Sequence, residues 1–319
     1  MSRPLSVVIN SYNRIDLLEG ALSSLIQGLG EISVGSSIVV FDAGSTDGSV
    51  EHIQKVNREA DIPIHLVQPE EGEDGSFAAG VNTAIEYVSK NYPELEWCLL
   101  YETDNYLQNP GAITNGIELL ERQEKTAAVG FTVERHDGRK AGYGEKFPTA
   151  TRFALGQRLS SILGLHEPSP SWKEQSGVRF SYADVVYTSP LLVDYECWRE
   201  IGGMDQDAFP FTDSDIDLCW RFQKKGNRCA VLDTPGVVHD NRQVQSEWSE
   251  ERVERFHRSR IKVILRHREV KREMLKAALL IRHTVEIAGI SALCLTRQRP
   301  TEAIDTRLRL LKGVFSGYT

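Results

Sequence analysis

The chain has 319 residues, with 40% hydrophobic and 26% charged side chains, a composition typical of a soluble globular protein with one large domain or two smaller ones. Its formal net charge of −8 is unevenly spread, because residues 251–319 hold 16 Lys and Arg against seven Asp and Glu, whereas residues 1–250 hold 21 against 38. The acidic body argues against a nucleic-acid partner, and the basic C-terminal part fits contact with an anionic surface such as a membrane.

Short β-branched runs alternate with helical periodicity over the first hundred residues. The pattern predicts strands at 5–9, 37–41, 64–68 and 97–101, and helices at 16–27, 50–56 and 75–89. Alternation at this spacing indicates βαβ units, and therefore an α/β fold with a mostly parallel central sheet flanked by helices.

Polar residues follow the predicted strands where each ends. The first strand ends in the turn NSYNR, the second ends at Asp42, and the fourth ends at Glu102 and Asp104. Glu102 and Asp104 are two positions apart, so on an extended chain they face the same side and can bind one hard cation, Mg²⁺ or Mn²⁺. Ligands bind at the carboxyl ends of strands in open α/β sheets. The alternative for this acidic pair is a solvated turn. Asp42, at the end of its strand, can accept a hydrogen bond from an N–H of a nucleotide base, and the alternative is that it caps the Gly-Ser turn that follows it.

The middle of the chain is less regular. A helix is predicted at 112–121 and a strand at 126–133, whereas residues 135–181 are rich in Gly, Pro, Ser and charge, with Tyr143 and Trp172 as isolated aromatic residues. A long irregular segment inside a compact domain is usually functional or mobile, and a disordered surface excursion is the alternative for its middle part.

A regular pattern returns after residue 181. Residues 185–193 predict a strand, and Asp213, Asp215 and Asp217 lie at a helix start, where acidic side chains cap the helix and complement its dipole. His239 ends the last predicted strand, and a neutral imidazole there is a suitable metal ligand beside carboxylates. Capping and an ordinary strand end are the structural alternatives for these residues.

Taken in order, these motifs resemble family 2 inverting glycosyltransferases of GT-A fold, and in particular their rhamnosyltransferase-like group. The N-terminal motifs are SVVINSYNR, FDAGSTDGS, GSFAAGVN and LLYETDNYL, and the second block comprises GGMD, DSDIDLCWR and the strand that ends at His239. Each motif alone is weak, but the series is specific, and the resemblance covers roughly residues 4–240.

The resemblance implies a UDP- or dTDP-sugar donor. Ser11, Tyr12 and Arg14 match the nucleotide-facing loop of the family, and Asp42 matches the residue that reads the base. The irregular segment 135–181 is then expected to shape the acceptor pocket, for a glycan or lipid-linked acceptor.

The resemblance also implies a metal site and a general base. Asp104 matches the metal-binding Asp, with Glu102 and His239 assisting it in holding Mg²⁺ or Mn²⁺, and Asp215 matches the general base. Ser214 stands where the family has Glu, and Glu102 stands where it often has Asp. These departures leave a non-catalytic nucleotide-sugar-binding relative open as the alternative. A nucleotidyltransferase is less well supported, because no Gly-rich phosphate loop follows the first strand.

Residues from Ser249 onward predict long basic helices. We therefore predict a GT-A catalytic domain at 1–245 and a basic helical C-terminal extension at 246–319. The extension is interpreted as helices packed on the catalytic domain, an interfacial membrane anchor or a homodimer contact.

Cysteine usage and hydropathy bear on the compartment. The five cysteines show neither a CxxC motif nor metal-ligand spacing, so we expect them to be reduced. No stretch reaches the roughly 18 uninterrupted apolar residues of a membrane-spanning helix, and the N-terminal apolar run is too short for a signal peptide. These features predict a cytoplasmic protein, in peripheral contact with the inner face of the membrane through its basic helices. The resemblance implies that it is a metal-dependent glycosyltransferase of bacterial surface polysaccharide or glycolipid synthesis.

Overall fold

A computed structural model describes residues 4–135, 137–165, 169–239, 250–295 and 302–316. The chain divides into two compact units. The first unit comprises Met1–Lys146 and Ser169–Gln245, and the second comprises Phe147–Pro168 and Ser246–Thr319. The second unit thus takes in residues from the segment for which the sequence predicted no regular element.

One sheet organises the first unit. Its strands in the described residues are β1 (Leu5–Ser11), β2 (Ser36–Asp42), β3 (Ile64–Val67), β4 (Trp97–Glu102), β5 (Asn105–Leu107), β6 (Thr126–Arg135), β7 (Lys140–Ala141), β8 (Lys173–Gln175), β9 (Val178–Ala183), β10 (Leu191–Asp194) and β11 (Arg228–His239). The strand order is β3-β2-β1-β4-β10-β6-β11-β9-β8, with β5 paired to β11 and β7 paired to β6.

The helices lie in both units. They are α1 (Ile15–Glu31), α2 (Ser49–Glu59), α3 (Phe77–Asn91), α4 (Gly111–Arg122), α5 (Ala150–Ile162), α6 (Tyr195–Ile201), α7 (Ser214–Lys224), α8 (Glu250–His267), α9 (Arg272–Leu295) and α10 (Glu302–Ser316). Helices α5, α8, α9 and α10 belong to the second unit and the others to the first.

The predicted α/β fold is confirmed, with a parallel half and a mixed half. Strands β3, β2, β1 and β4 are parallel, and so are β6 and β11. Strand β10 runs antiparallel between β4 and β6. The predicted strand at 185–193 is shorter in the structure, because Pro190 has no backbone N–H to offer between two neighbouring strands and regular pairing starts only at Leu191.

The parallel half is buried on both faces. Val7, Ile38 and Leu99 pack with α1 in one continuous core, and each fully buried aliphatic side chain of this kind stabilises the fold by about 1.5–3 kcal/mol. On the other face α3 approaches closely, because Gly80 has no Cβ, and a Cβ there would overlap the side chains of Asn10 and Phe41. The sheet is therefore rigid beneath the edge at which its strands end.

The second unit is helical and has its own core. Ile261 and Ile264 of α8 pack with Leu275 and Leu279 of α9, and Phe153 of α5 joins them. The predicted C-terminal helices are confirmed, although the predicted start at Ser249 lies outside the described residues. None of the helices in the described ranges is both long and apolar enough to span a membrane.

Candidate active site

The turns after β1 and β2 are joined into one structure, which we call the paired loops (residues 11–14 and 42–49). Asn13 links them reciprocally, since its backbone N–H donates to Ser45 Oγ at 2.8 Å and its Oδ1 accepts from the N–H of Thr46 at 2.8 Å. Asn13 has φ +49°, a left-handed conformation that Asn tolerates better than most residues. Asp47 adds a further link by accepting the N–H of Ile15 at 2.9 Å, at the start of α1. The paired loops are thus held in one conformation.

Asp42 lies at the centre of the paired loops and is fully buried. Its Oδ1 accepts the N–H groups of Gly44 and Ser45 at 3.1 and 2.7 Å, and its Oδ2 accepts the hydroxyl of Ser45 at 2.7 Å. This is the turn-capping role that the sequence offered as the alternative. Its predicted role in reading the nucleotide base stays a prediction.

The other three predicted nucleotide contacts are on the first of the paired loops. Ser11 is 2% exposed, and its hydroxyl has no hydrogen-bond partner within the part of the chain that the structure describes. A buried hydroxyl without a partner costs about 1–3 kcal/mol, which a ligand's polar group would offset. Tyr12 is 59% exposed, and Arg14 is exposed at the start of α1. The loop therefore offers a hydroxyl, an aromatic ring and a cation, and their binding roles stay predictions.

Three predicted acidic residues act on one another at the end of β4 and the start of α7. Burial, followed by the charges of Asp104 and Asp215, raises the pKa of Glu102 to about 7, against smaller opposing effects of Thr188 and Arg14. Thr188 donates its hydroxyl to Glu102 Oε1 at 3.4 Å. The structure thus brings Asp215 to Glu102 and Asp104 across more than a hundred residues of sequence. A cation bound here would offset the repulsion among the three carboxylates.

Asp104 and His239 are adjacent because β5 pairs with β11. The register places Asn105 opposite His239, and His239 Nδ1 lies 3.5 Å from Asp104 Oδ1 and 3.0 Å from Asn105 Oδ1. Asn105 is fixed in turn by donating its Nδ2–H to Ser189 Oγ at 2.9 Å. In the tautomer that carries the proton on Nδ1, His239 donates to Asn105 and keeps a lone pair on Nε2, which is the usual arrangement of a metal-binding histidine.

Asp104 and His239 are the candidate donors for the predicted divalent metal. In the described ranges no group of three or more His, Cys, Asp or Glu side chains is placed to hold a metal ion. Asp104 and His239 nonetheless form a pair of oxygen and nitrogen donors, and Mg²⁺ in phosphate chemistry commonly takes one or two protein ligands, with substrate phosphates and water as the rest. The donor types of this pair suit such an ion, and the metal-binding roles of Asp104, His239 and Glu102 stay predictions.

The acidic start of α7 separates into two roles. Asp213 precedes the helix with φ +58°, a left-handed conformation that is unusual for a residue other than glycine. Asp215 is half-buried and accepts the N–H of Ile216 at 2.8 Å. Asp217 is 1% exposed and pairs with Arg221 at 2.6 Å, which in turn donates to Ile201 O at 3.0 Å. Asp217 therefore stabilises the fold through a buried ion pair and not through a cap, and the role of Asp215 as general base stays a prediction.

A cavity of about 230 Å³ lies beside His239 at the ends of β6 and β11. Its lining comprises Gly130, Phe131, Val133, Arg135, Ala141, Gly142, Tyr187, Ser189 and His239. The sequence placed an acceptor pocket in segment 135–181, which contributes only three of these residues, and the acceptor role of that segment stays a prediction. The sequence did not identify Ser189 and Tyr187 as site residues, since nothing in the run VVYTSP distinguishes a loop from a strand. The only sequence signal for Asn105 was its position next to Asp104.

The chain was compared with known proteins. The family model described as glycosyl transferase family 2 matches residues 6–179. The mannosyltransferase PcManGT from Pyrobaculum calidifontis, in complex with GDP-Man and Mn²⁺, has a similar structure, with a TM-score of 0.55 at 15% identity over 99% of this chain and 76% of that one. S. aureus TarS 1-349 in complex with UDP-GlcNAc has a TM-score of 0.56 at 15% identity, over 99% of this chain and 81% of that one. At these identities the two structures establish the GT-A fold alone. No curated protein shows significant sequence similarity to the chain.

Proposed function

Because the chain belongs to glycosyl transferase family 2, we propose that it transfers a sugar from a nucleoside-diphosphate sugar to an acceptor hydroxyl, with inversion at the anomeric carbon. The observation that carries the proposal is the convergence of Asp215 with Glu102 and Asp104 at the edge of the sheet. A proton acceptor and a metal-binding carboxylate are the two groups that such a displacement needs from the protein.

The paired loops are the proposed site of the nucleotide. They are held in place by their own hydrogen bonds, so little ordering is required when the donor binds. Ser11 offers its buried hydroxyl, Tyr12 its ring and Arg14 its charge, and Asp42 is the proposed selector of the base. A UDP- or dTDP-sugar is the proposed donor, with dTDP-rhamnose the first to test.

Asp104 and His239 are the proposed protein ligands of Mg²⁺ or Mn²⁺, with Glu102 in support. When bound, the ion neutralises the charge that develops on the leaving diphosphate. His239 is oriented for this by Asn105, and Asn105 by Ser189.

Asp215 is the proposed general base. It accepts the proton of the acceptor hydroxyl while that oxygen forms a bond to the anomeric carbon, and the bond from that carbon to the diphosphate breaks with its electron pair leaving on the diphosphate. Its hydrogen bond with the N–H of Ile216 fixes the orientation of the carboxylate.

The proposal is tested by thermal shift with a panel of UDP-, dTDP- and GDP-sugars, each with and without Mn²⁺. A ligand at 100 times its Kd stabilises the folded state by about 2.7 kcal/mol, which for a unit of this size corresponds to about 5–10 °C in Tm. We expect one donor class to give this shift only with Mn²⁺ and to be turned over. Binding without turnover would support the non-catalytic alternative, and no shift with any donor would contradict both.

The second unit is proposed to contact the inner face of the membrane, where a lipid-linked or glycan acceptor of bacterial surface polysaccharide synthesis would be met. Its described residues include nine of the 13 large apolar side chains that are exposed in the structure, among them Met274, Ile281 and Val285 on one face of α9. Exposed aliphatic side chains in a positively charged segment are typical of a helix that lies in an anionic bilayer surface. Association of two copies through the same face is the alternative.

A further inference from the structure

We propose that the cavity beside His239 binds an acidic group of the acceptor, a phosphate or a carboxylate, and that Arg135 recognises it. This inference rests on the proposed function and extends it by naming the chemical class of the acceptor. Guanidinium forms two parallel hydrogen bonds with either kind of oxyanion, so the two sources share one recognition chemistry.

The charges in the cavity favour an anion. Its polar lining residues are Arg135, His239, Tyr187 and Ser189, and neither Asp nor Glu is among the described residues that line it. This is unusual in a region of sequence that holds 38 acidic residues against 21 basic ones. Phe131 and Val133 supply an apolar wall, against which the carbon face of a sugar ring can pack.

Arg135 differs from the basic residues around it in having no acidic partner in the described part of the chain. Arg139, four residues on, pairs with Asp137 at 3.5 Å, and Lys140 and Arg179 both pair with Asp233, at 3.4 and 3.3 Å. The backbone of Arg135 is nevertheless fixed, because its N–H donates to Arg139 O and its O accepts the N–H of Gly138, both at 2.8 Å. Arg135 is thus a positioned, exposed cation whose charge is available to a ligand.

The place of the cavity in the sheet assigns it to the acceptor. The loop after β2 belongs to the proposed nucleotide site, and β6 ends at Arg135. The two strands are four strand spacings apart in the sheet, a distance of about 19 Å. Asp104 lies between the two at the end of β4. With the nucleotide proposed at the paired loops and the diphosphate at Asp104, the β6 side of the sheet edge is left for the acceptor. The volume of about 230 Å³ suits one sugar unit with its acidic substituent.

The test measures binding of three monosaccharides to the full chain in the presence of UDP and Mn²⁺, by calorimetry or ligand-observed NMR. Glucose 6-phosphate carries a phosphate, glucuronate a carboxylate, and glucose neither. The variants are Arg135→Ala and, as the matched control on the same turn, Arg139→Ala. We expect the wild-type protein to bind one of the acidic sugars about 10- to 100-fold more tightly than glucose, as a charged hydrogen bond allows. Which of the two is preferred distinguishes phosphate from carboxylate.

Arg135→Ala is expected to lose this preference, and Arg139→Ala to keep it. Equal affinity of the wild-type protein for all three sugars, or an unchanged preference in Arg135→Ala, would overturn the proposal. A parallel loss of UDP affinity in Arg135→Ala would assign the residue to the donor and would also overturn it. Turnover of donors by the wild-type protein is measured separately. If the protein prefers acidic sugars through Arg135 but turns over no donor, the proposed function is wrong and the cavity is still an anion-binding site.

Discussion

The two units of the chain differ in where they place polar and apolar groups. The first unit buries its aliphatic side chains under a sheet and gathers its candidate site residues at one edge. Among its described residues, the exposed large apolar ones are all aromatic, namely Tyr12, Tyr106, Tyr143 and Phe211. The second unit exposes mainly aliphatic side chains, such as Ile162 and Ile281. The difference fits the proposed division into a catalytic unit and a unit for surface contact, which predicts that each can be impaired without the other.

The buried polar groups differ as well. In the second unit the Nε2 atoms of His257 and His283 lie 3.0 Å apart, and His283 Nδ1 lies 3.2 Å from Glu286, which also pairs with Arg282 and Arg307. Burial, the neighbouring His283 and the two arginines lower the pKa of His257 to about 3. This cluster of buried polar groups therefore holds helices together, whereas Glu102 and Asp104 of the first unit belong to the proposed ligand site.

The largest expected effect is that of Asp104→Ala in the first unit. Loss of the proposed metal ligand should reduce transfer by about 10³-fold or more, since a bound cation contributes several kcal/mol to stabilising the developing charge. Transfer is measured as a function of Mn²⁺ concentration, with the exposed Asp61→Ala as control, and vesicle binding is measured in parallel. An unchanged Mn²⁺ response in Asp104→Ala would place the metal elsewhere.

Asp215→Asn should reduce transfer by about 10²- to 10³-fold while nucleotide affinity stays near that of the wild-type protein, because the amide cannot accept the proton. Asp217→Asn, two residues away on α7, is the matched comparison. Breaking its buried pair with Arg221 should destabilise the first unit by about 3–5 kcal/mol but leave transfer per folded molecule unchanged. Wild-type rates in Asp215→Asn would refute the assignment of the base.

Acid should weaken the second unit. The pKa of His257 is lower in the folded state than its ordinary value of 6.5, so the unfolded chain takes up the proton first, and the free energy of unfolding falls as pH drops from about 6.5 towards 3. The loss is about 1.4 kcal/mol per pH unit, or roughly 3 kcal/mol at pH 4. Burial alone would raise the pKa of Glu286, but the hydrogen bond with His283 and the charges of Arg282 and Arg307 outweigh it and lower the pKa to about 2, which adds a further loss below pH 4.5.

Calorimetry between pH 7 and pH 4 measures this effect, with His257→Phe as the comparison. The variant lacks the titrating imidazole, so its Tm should depend less on pH over this range. A wild-type Tm for the second unit that stays constant from pH 7 to pH 4 would contradict the prediction.

The smallest expected effect concerns the exposed face of α9. Replacing Met274, Ile281 and Val285 with Gln should weaken sedimentation with anionic vesicles by about tenfold and leave transfer to a water-soluble acceptor unchanged. Thr284→Gln, also exposed on α9, removes no aliphatic group and serves as control. If the triple variant still sediments fully but no longer self-associates, the face is a dimer contact instead.

Much of the fold was predictable because its signals are local. The β-branched runs that form β1, β2 and β4, and the periodicity of α1 and α3, are fixed within ten or twenty residues. The positions of Asp42 and Asp104 at strand ends followed from the same runs. The hydrogen bond from Asn10 to Phe77 O, in contrast, had no signal, because it joins positions 67 residues apart.

In the candidate site, too, contacts between residues far apart in the sequence could not be predicted. Asp104 was found from its neighbours in sequence, but its contact with His239 depends on the three-residue strand β5, which is too short to produce a periodic pattern. Phe153 could not be assigned to the second unit, because its partners lie about a hundred residues further along the chain. The cavity with Arg135 combines three separate stretches, and no local pattern connects them.

The central claim, transfer from a nucleotide sugar with Asp215 as the base, is tested most directly by measuring nucleoside diphosphate release. The wild-type protein and Asp215→Asn are incubated with Mn²⁺, an acceptor preparation and the donor that gives the largest thermal shift. We expect the wild-type protein to release nucleoside diphosphate in proportion to the glycosylated product, and Asp215→Asn to bind the donor equally well but to release almost none. Tight donor binding by the wild-type protein without release would contradict the claim, as would equal release by both proteins.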